Sequence, residues 1–289
     1  MKGSEFIMTQ VRDYLDFLEY GRMLADNTIK SIAHDFEMFK KIIGVDLDKA
    51  DRRDVEKFVI VQNKEKLSTA TVARRIASIK GFFQWQIENE YREGLNPAQG
   101  KLAPKVKHDS FKSIGIDKLK EVYHQAPTDE LKTMIALMGY AGLRLEEVAT
   151  VSIDNFVYRD DNGVLAIDLK NTKGDKPRKV SLALVPDQDL VERVCNRGFI
   201  GQRGKLSTNG VWRRVRDYLS SKGLGKVSPH DLRATFATML AKNDVNHVVI
   251  RDMMGHTTLN GNAITSVYVT TTSVEEQAKE VLEKMEGIL

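Results

Sequence analysis

The sequence predicts a mainly α-helical protein with a small β-sheet, arranged as a helical N-terminal domain and a mixed α/β C-terminal domain. Three observations predict it. The chain has 289 residues, enough for two domains at roughly 100–200 residues each. Apolar residues recur at i, i+3, i+4 and i+7 along most of it, the period of a helix with one buried face. Residues 164–169 and 179–184 break that period and read as two short strands.

Residues 1–7 read as a cloning scar ahead of a second start at Met8. Val11, Tyr14, Leu15 and Leu18 then mark a first helix. Ile29, Ile32, Ala33, Phe36, Phe39 and Ile43 mark a second, with an Asp26-Asn27 cap and a stop at Gly44. Val55, Phe58 and Val59 form a short third helix after Asp51. A fourth starts near Ser68-Thr69 and carries Val72, Ile76, Ile79, Phe82 or Phe83, and Ile87. Residues 8–93 are thus expected to form a four-helix unit. Residues 94–112, polar and basic with Gly94, Pro97, Gly100 and Pro104, read as the linker.

The second domain is expected over 113–289. Helical patterns cover 117–125 and 128–141, then a short stretch near 144–149. Asp160-Asp161, before Asn162-Gly163, reads as turn chemistry. The two strands are joined by a basic hairpin at 170–178. Helical patterns return near 187–195, 208–221, 230–242, 245–254 and 263–269. The tail from Thr272 places Val274, Ala278, Val281, Leu282 and Met285 on one face of a final amphipathic helix.

Composition narrows the function classes. With 42% hydrophobic and 29% charged residues, the chain is neither low-complexity, collagen-like nor disordered. No apolar run approaches the roughly 18–20 residues of a membrane helix. A lone cysteine, Cys195, forms no internal disulfide and suits a reducing, cytoplasmic setting. The net charge is only +4, but it is unevenly spread. Residues 197–226 hold eight basic residues against Asp217 alone, and residues 64–107 hold nine against four acids. Two such stretches suit a polyanion gripped from two sides, or two solvated helix faces.

Several chemistries lack their motifs. There is no GxxxxGK[ST] loop, no GxGxxG turn and no HExxH. No acidic constellation suggests a metal, so neither metal nor cofactor is expected. What remains is an ordered set of residues. Arg144 and Glu147 follow Gly142, Lys173 sits in the basic hairpin, and His230 and Arg233 open a helix after Ser228-Pro229. His256 follows Gly255, and Tyr268 is the last tyrosine. Each alone has an ordinary explanation: a surface ion pair, a solvated lysine, a cap, a packed ring.

Their order changes the weighing. Gly142-Leu143-Arg144 with Glu147, Thr172-Lys173-Gly174-Asp175-Lys176 with Arg178, His230-Asp231-Leu232-Arg233, Met254-Gly255-His256 and then Tyr268 resemble the boxes of the tyrosine recombinase (phage integrase) family. Ile79-Lys80-Gly81-Phe82-Phe83-Gln84-Trp85 and Asn96-Pro97-Ala98 are similar to its SAM-like core-binding, DNA-clamping domain and linker. One departure stands out. Tyr268 lies twelve positions after His256, a longer spacing than the family's usual one, with Asn260-Gly261-Asn262 as the inserted turn. Tyr218 precedes the His-x-x-Arg box and does not fit the order.

The resemblance implies a site-specific recombinase that cleaves and rejoins duplex DNA through a 3′-phosphotyrosine, with Holliday-junction strand exchange. It implies Arg144, Lys173, His230, Arg233, His256 and Tyr268 as the catalytic set, with Glu147 accessory. Arg74, Arg75, Lys80, Lys176, Arg178, Arg213 and Arg214 are expected to contact DNA. The expected partners are an inverted-repeat core site and a tetramer on two duplexes joined through the C-terminal helix, with an accessory protein left open. Compact size points to the Xer-type enzymes that resolve chromosome dimers, working in the cytoplasm at the nucleoid. A mobile-element or viral integrase, an inactive DNA-binding regulator and a type IB topoisomerase are the alternatives. Strand exchange, a covalent adduct, or their absence separates them.

Overall fold

A computed structural model gives the backbone of residues 3–100, 102, 104–105, 112–159, 164–170, 177–201, 204–255 and 272–288, with side chains from residue 10 onward other than Tyr158 and Arg159. The helix expected at 263–269 lies outside these residues, as do Lys173, Lys176, His256 and Tyr268. The chain divides into two units, Met1–Asp109 and Ser110–Leu289.

In the first unit, α1 (Gly3–Asp16) includes residues 3–7 of the stretch that reads as a scar and continues into a π-helical turn, Phe17–Gly21. The helices α2 (Asp26–Ile43), α3 (Arg52–Lys64) and α4 (Thr69–Glu88) follow. The start of α2 differs from expectation. Ala25 precedes it without a side-chain cap, and Asp26 sits in the first turn, 2.7 Å from Lys30 Nζ. The other starts follow the sequence. Asp51 accepts the Asp54 N–H at 3.0 Å, and Ser68 Oγ accepts the Thr71 N–H at 3.1 Å. Phe39, Phe58, Val72, Ile79, Phe82 and Phe83 are fully buried, so both phenylalanines of the pair pack inward. Each such ring contributes roughly 1.5–3 kcal/mol through burial.

Charged groups also enter this unit. Asp35 is completely buried and takes Arg74 Nη1 at 2.5 Å and Ser78 Oγ at 2.8 Å on one oxygen. Arg75 is 8% exposed and donates to Gln62 Oε1 at 2.8 Å. The expectation that Arg75 contacts DNA is therefore corrected. Its fork is turned into the domain, where it offsets the buried charge of Asp35, 3.8 Å from its Nε. Arg74 stays half exposed and Lys80 exposed.

The second unit comprises α5 (Ile116–His124), α6 (Asp129–Gly139), α7 (Leu145–Thr150), β1 (Phe156–Arg159), β2 (Leu165–Leu169), β3 (Arg178–Ser181), α8 (Gln188–Arg197), β4 (Ile200–Gly201), β5 (Gly204–Lys205), α9 (Thr208–Ser221), α10 (Pro229–Lys242), α11 (His247–Met254) and α12 (Val274–Met285). Strands β1, β2 and β3 form an antiparallel sheet in that order, with Ala166 opposite Ser181 and Leu169 opposite Arg178. Strand β1 and the short pair β4–β5 were not expected. Strand β3 ends earlier than expected: Val185 donates to the Leu182 carbonyl at 2.9 Å and turns the chain. Helix α6 is buried on every side, with Met134, Ile135, Ala136 and Leu137 inaccessible. No helix of the described residues is long and apolar enough to cross a membrane.

The tail forms the amphipathic helix expected of it. Helix α12 buries Val274, Ala278, Val281 and Met285 against its own domain, and Val281 and Met285 share a core with Val180 and Leu182. Gln277 fixes the docking: its Oε1 accepts the Ser181 N–H at 3.1 Å, and its Nε2 donates to the Lys179 carbonyl at 3.2 Å. In the single chain this apolar face is covered by its own domain. Leu282, expected on that face, is 45% exposed.

Candidate active site

The site is built on helix ends. Gly142 has φ of 69°, a left-handed conformation that favours glycine. A Cβ there would lie 2.5 Å from the Phe236 ring. This close turn brings the Gly142 carbonyl against α10 and places Arg144 immediately before α7. Glu147, one turn on, reaches back: its Oε2 accepts the Arg144 N–H at 2.7 Å and its Oε1 accepts Arg144 Nη1 at 3.0 Å. The pair predicted at i,i+3 therefore forms, but Glu147 is only 7% exposed, so it is no surface pair.

Helix α10 begins as its sequence suggests. Pro229 occupies the first turn, and the Asp231 carboxylate accepts the Ser228 N–H and hydroxyl, each at 2.8 Å. His230 and Arg233 part company at this start. His230 is exposed, whereas Arg233 is 7% exposed and points inward. Its Nη1 donates to the Gly142 carbonyl and its Nη2 to the Met254 carbonyl.

The C-terminal end of α11 is the common anchor. A helix end leaves carbonyls without internal partners and carries partial negative charge. Here three successive carbonyls each accept from a different arginine. Met253 takes Arg178 Nε at 3.1 Å, Met254 takes Arg233, and Gly255 takes Arg144 Nη2 at 3.0 Å. Gly255, with φ of 62°, ends the helix, and a Cβ there would meet the Arg178 guanidinium at 2.7 Å. His256 is the next residue, beyond the described ones.

Arg178, expected to contact DNA, is instead interior. Its side chain is 7% exposed. It forks onto Glu147, with Nη1 on Oε1 and Nη2 on Oε2, both at 2.8 Å. Sequence did hold a signal for this. In β3, Arg178 is two residues before the inaccessible Val180, and strand residues two apart share a face. Arg213 and Arg214 are exposed on α9, where Arg214 Nη2 also donates to the Ile200 carbonyl at 3.1 Å. Tyr218 is buried and donates its hydroxyl to the Val122 carbonyl at 2.7 Å. Burial pushes its phenol up from the usual value.

Two carboxylates here make stability depend on pH. Burial pushes Glu147 up, but the bonds from Arg178 and Arg144 outweigh burial and hold it below its ordinary value. Asp231 is also lowered: burial acts upward, and the Ser228 and Lys112 contacts act downward more strongly. A lowered carboxylate takes up its proton later in the folded protein than in the unfolded chain. The stability both groups supply is full above the ordinary carboxylate range of about 4. It is lost as pH falls below that range through the lowered folded values. Denaturant midpoints should therefore drop between about pH 5 and pH 3. Glu147→Gln should flatten part of that slope, and an unchanged slope would contradict the assignment.

The comparisons agree with this architecture. Residues 114–273 match the phage integrase family, and residues 11–90 match the phage integrase N-terminal SAM-like domain. A tyrosine recombinase of Pseudothermotoga lettingae is 27% identical over 274 residues, covering 90% of this chain and 92% of that protein. Tyrosine recombinase XerD of Neisseria meningitidis serogroup B is 28% identical, covering 86% of this chain and 90% of its own. Among solved structures, lambda integrase (75–356), a dimer bound to a core site, superposes with a TM-score of 0.66 at 15% identity, over 87% of this chain and 95% of that one. XerH bound to a palindromic difH substrate superposes with a TM-score of 0.64 at 20% identity, over 89% of this chain and 79% of its own. By these matches, and by the arginine boxes that the fold gathers at one helix end, the chain belongs to the phage integrase family of tyrosine recombinases.

Proposed function

We propose that the chain cleaves and rejoins duplex DNA at a specific site through a 3′-phosphotyrosine on Tyr268, in Xer-like dimer resolution. The observation that carries this is the convergence of Arg144 and Arg233 on successive carbonyls ending α11, just before His256. A phosphodiester repels nucleophiles, and its non-bridging oxygens gain charge as a fifth bond forms. Two fixed guanidiniums match that charge in shape and sign. Preorganised charge of this kind is commonly the largest catalytic contribution.

The remaining roles follow the chemistry. Tyr268 Oη attacks phosphorus, the bond to the 5′ oxygen breaks, and Lys173 gives that oxygen its proton. A phenol with an ordinary pKa of about 10 needs help near neutral pH, and His230 accepts or orients its proton. His256 donates to a phosphate oxygen. A 5′-hydroxyl from the second duplex then attacks the phosphotyrosine and frees Tyr268. The bond energy is kept, so the exchange uses no nucleotide cofactor. The partners are an inverted-repeat core site and four copies of the chain on two duplexes. Relatives named XerC and XerD over most of both lengths support dimer resolution over mobile-element integration.

The test is trapping on DNA in EDTA. Wild-type protein is mixed with nicked genomic fragments of its host, denatured in SDS, and the attached DNA is sequenced. Adducts at one inverted-repeat site are expected. Scattered adducts, or DNA binding with no adduct, would contradict the proposal.

A further inference from the structure

We propose that Arg178 is a positioning residue of the phosphate site, acting through Glu147 to place Arg144 and to leave the cluster of three side chains with net positive charge. The inference rests on the recombinase reading above.

Charge counting motivates it. Arg144 and Glu147 alone sum to zero, because the carboxylate meets both the backbone N–H and the side chain of Arg144. A neutral pair gives little to an anionic phosphate. With Arg178 forked onto the same carboxylate, the three groups carry a net charge of plus one. Glu147 is shared between two cations, and its pull on the Arg144 guanidinium is divided. Burial of Arg178 and Glu147 keeps this division from being screened by water.

Geometry points the same way. Every guanidinium nitrogen of Arg178 donates inward: Nε to the Met253 carbonyl, the other two to Glu147. That orientation does not suit a duplex contact. It ties β3 to the end of α11, two residues before the point where Arg144 is tied to Gly255. Arg178 is also the first residue of β3, on the return side of the hairpin that holds Lys173. One side chain thus links the strand leaving the lysine hairpin, the arginine box and the segment entering His256.

The experiment measures covalent adduct formation on the DNA site recovered by trapping, for wild type, Arg178→Met, Arg178→Lys and Glu147→Gln/Arg178→Met. Each is tested on a phosphodiester and on a methylphosphonate, which lacks the charge at the scissile position. Arg178→Met should lose on the order of 10²-fold in adduct rate, as expected for a displaced catalytic group, with DNA affinity unchanged. On the methylphosphonate that gap should narrow, because less positive charge is required. Glu147→Gln in the same chain should restore much of the rate by removing the carboxylate charge that otherwise cancels that of Arg144. Arg178→Lys, which keeps the charge, should outperform Arg178→Met and also guards against a methionine variant that does not fold. A gap equal on both linkages, with no recovery from Glu147→Gln, would overturn the assignment and leave Arg178 as packing alone. Absence of adduct with wild-type protein would instead overturn the recombinase reading, and this inference with it.

Discussion

Tyr268→Phe is expected to abolish the covalent protein–DNA product while leaving DNA affinity unchanged. Phenylalanine keeps the ring and removes only the oxygen proposed as the nucleophile, so binding contacts made elsewhere persist. No rescue by Tyr218, Tyr140 or Tyr123 is expected. Tyr218 is buried with its hydroxyl committed to the Val122 carbonyl. Tyr140 is 1% exposed, and burial pushes its phenol well above the usual value. Tyr123 is 4% exposed and is raised by burial as well. A gel shift beside an SDS-resistant adduct assay checks both halves. Residual adduct near the wild-type amount would reject Tyr268 as nucleophile.

Arg233→Ala should lose both activity and stability, and by different causes. Activity should fall about 10³-fold or more, since removing a single preorganised donor already costs about 10²–10³. Stability should fall because the Gly142 and Met254 carbonyls both lose their donor. Each buried group left unpaired costs about 1–3 kcal/mol. Lysine should not rescue it, because a point charge does not span two carbonyls as a fork does. Single-turnover adduct rates and denaturant melts separate the two effects. A variant of full stability and full rate would contradict the account.

Much of this was legible in the residues, and what was not has physical causes. Caps at Asp51, Ser68 and Ser228 and the left-handed stop at Gly44 are local chemistry, and they appear where the sequence puts them. The apolar period likewise places Phe39, Phe58 and Ile79 in the core. Arg75 and Arg178 were misplaced because charge alone does not distinguish an interior cation from a DNA contact. Their partners are distant in sequence: Asp35 for one and Glu147 for the other. Position was the better guide. Arg75 lies between Val72 and Ile79 at helical spacing on a buried face, as Arg178 shares a strand face with Val180. The tail's amphipathic pattern indicates a covered face, but a pattern does not name its partner; in the single chain Gln277 of α12 docks it onto β3. Strands β4 and β5, of two residues each, are too short to leave a period.

On the proposed reading, the gathered arginines serve a tyrosine that becomes covalently joined to DNA. The most direct measurement is to digest the SDS-trapped complex and identify the modified residue and its DNA end by mass spectrometry. The expected product is a phosphodiester between Tyr268 Oη and the 3′ end of the cleaved strand, with a free 5′-hydroxyl on the other fragment. A linkage to any other residue, or to a 5′ end, would contradict it.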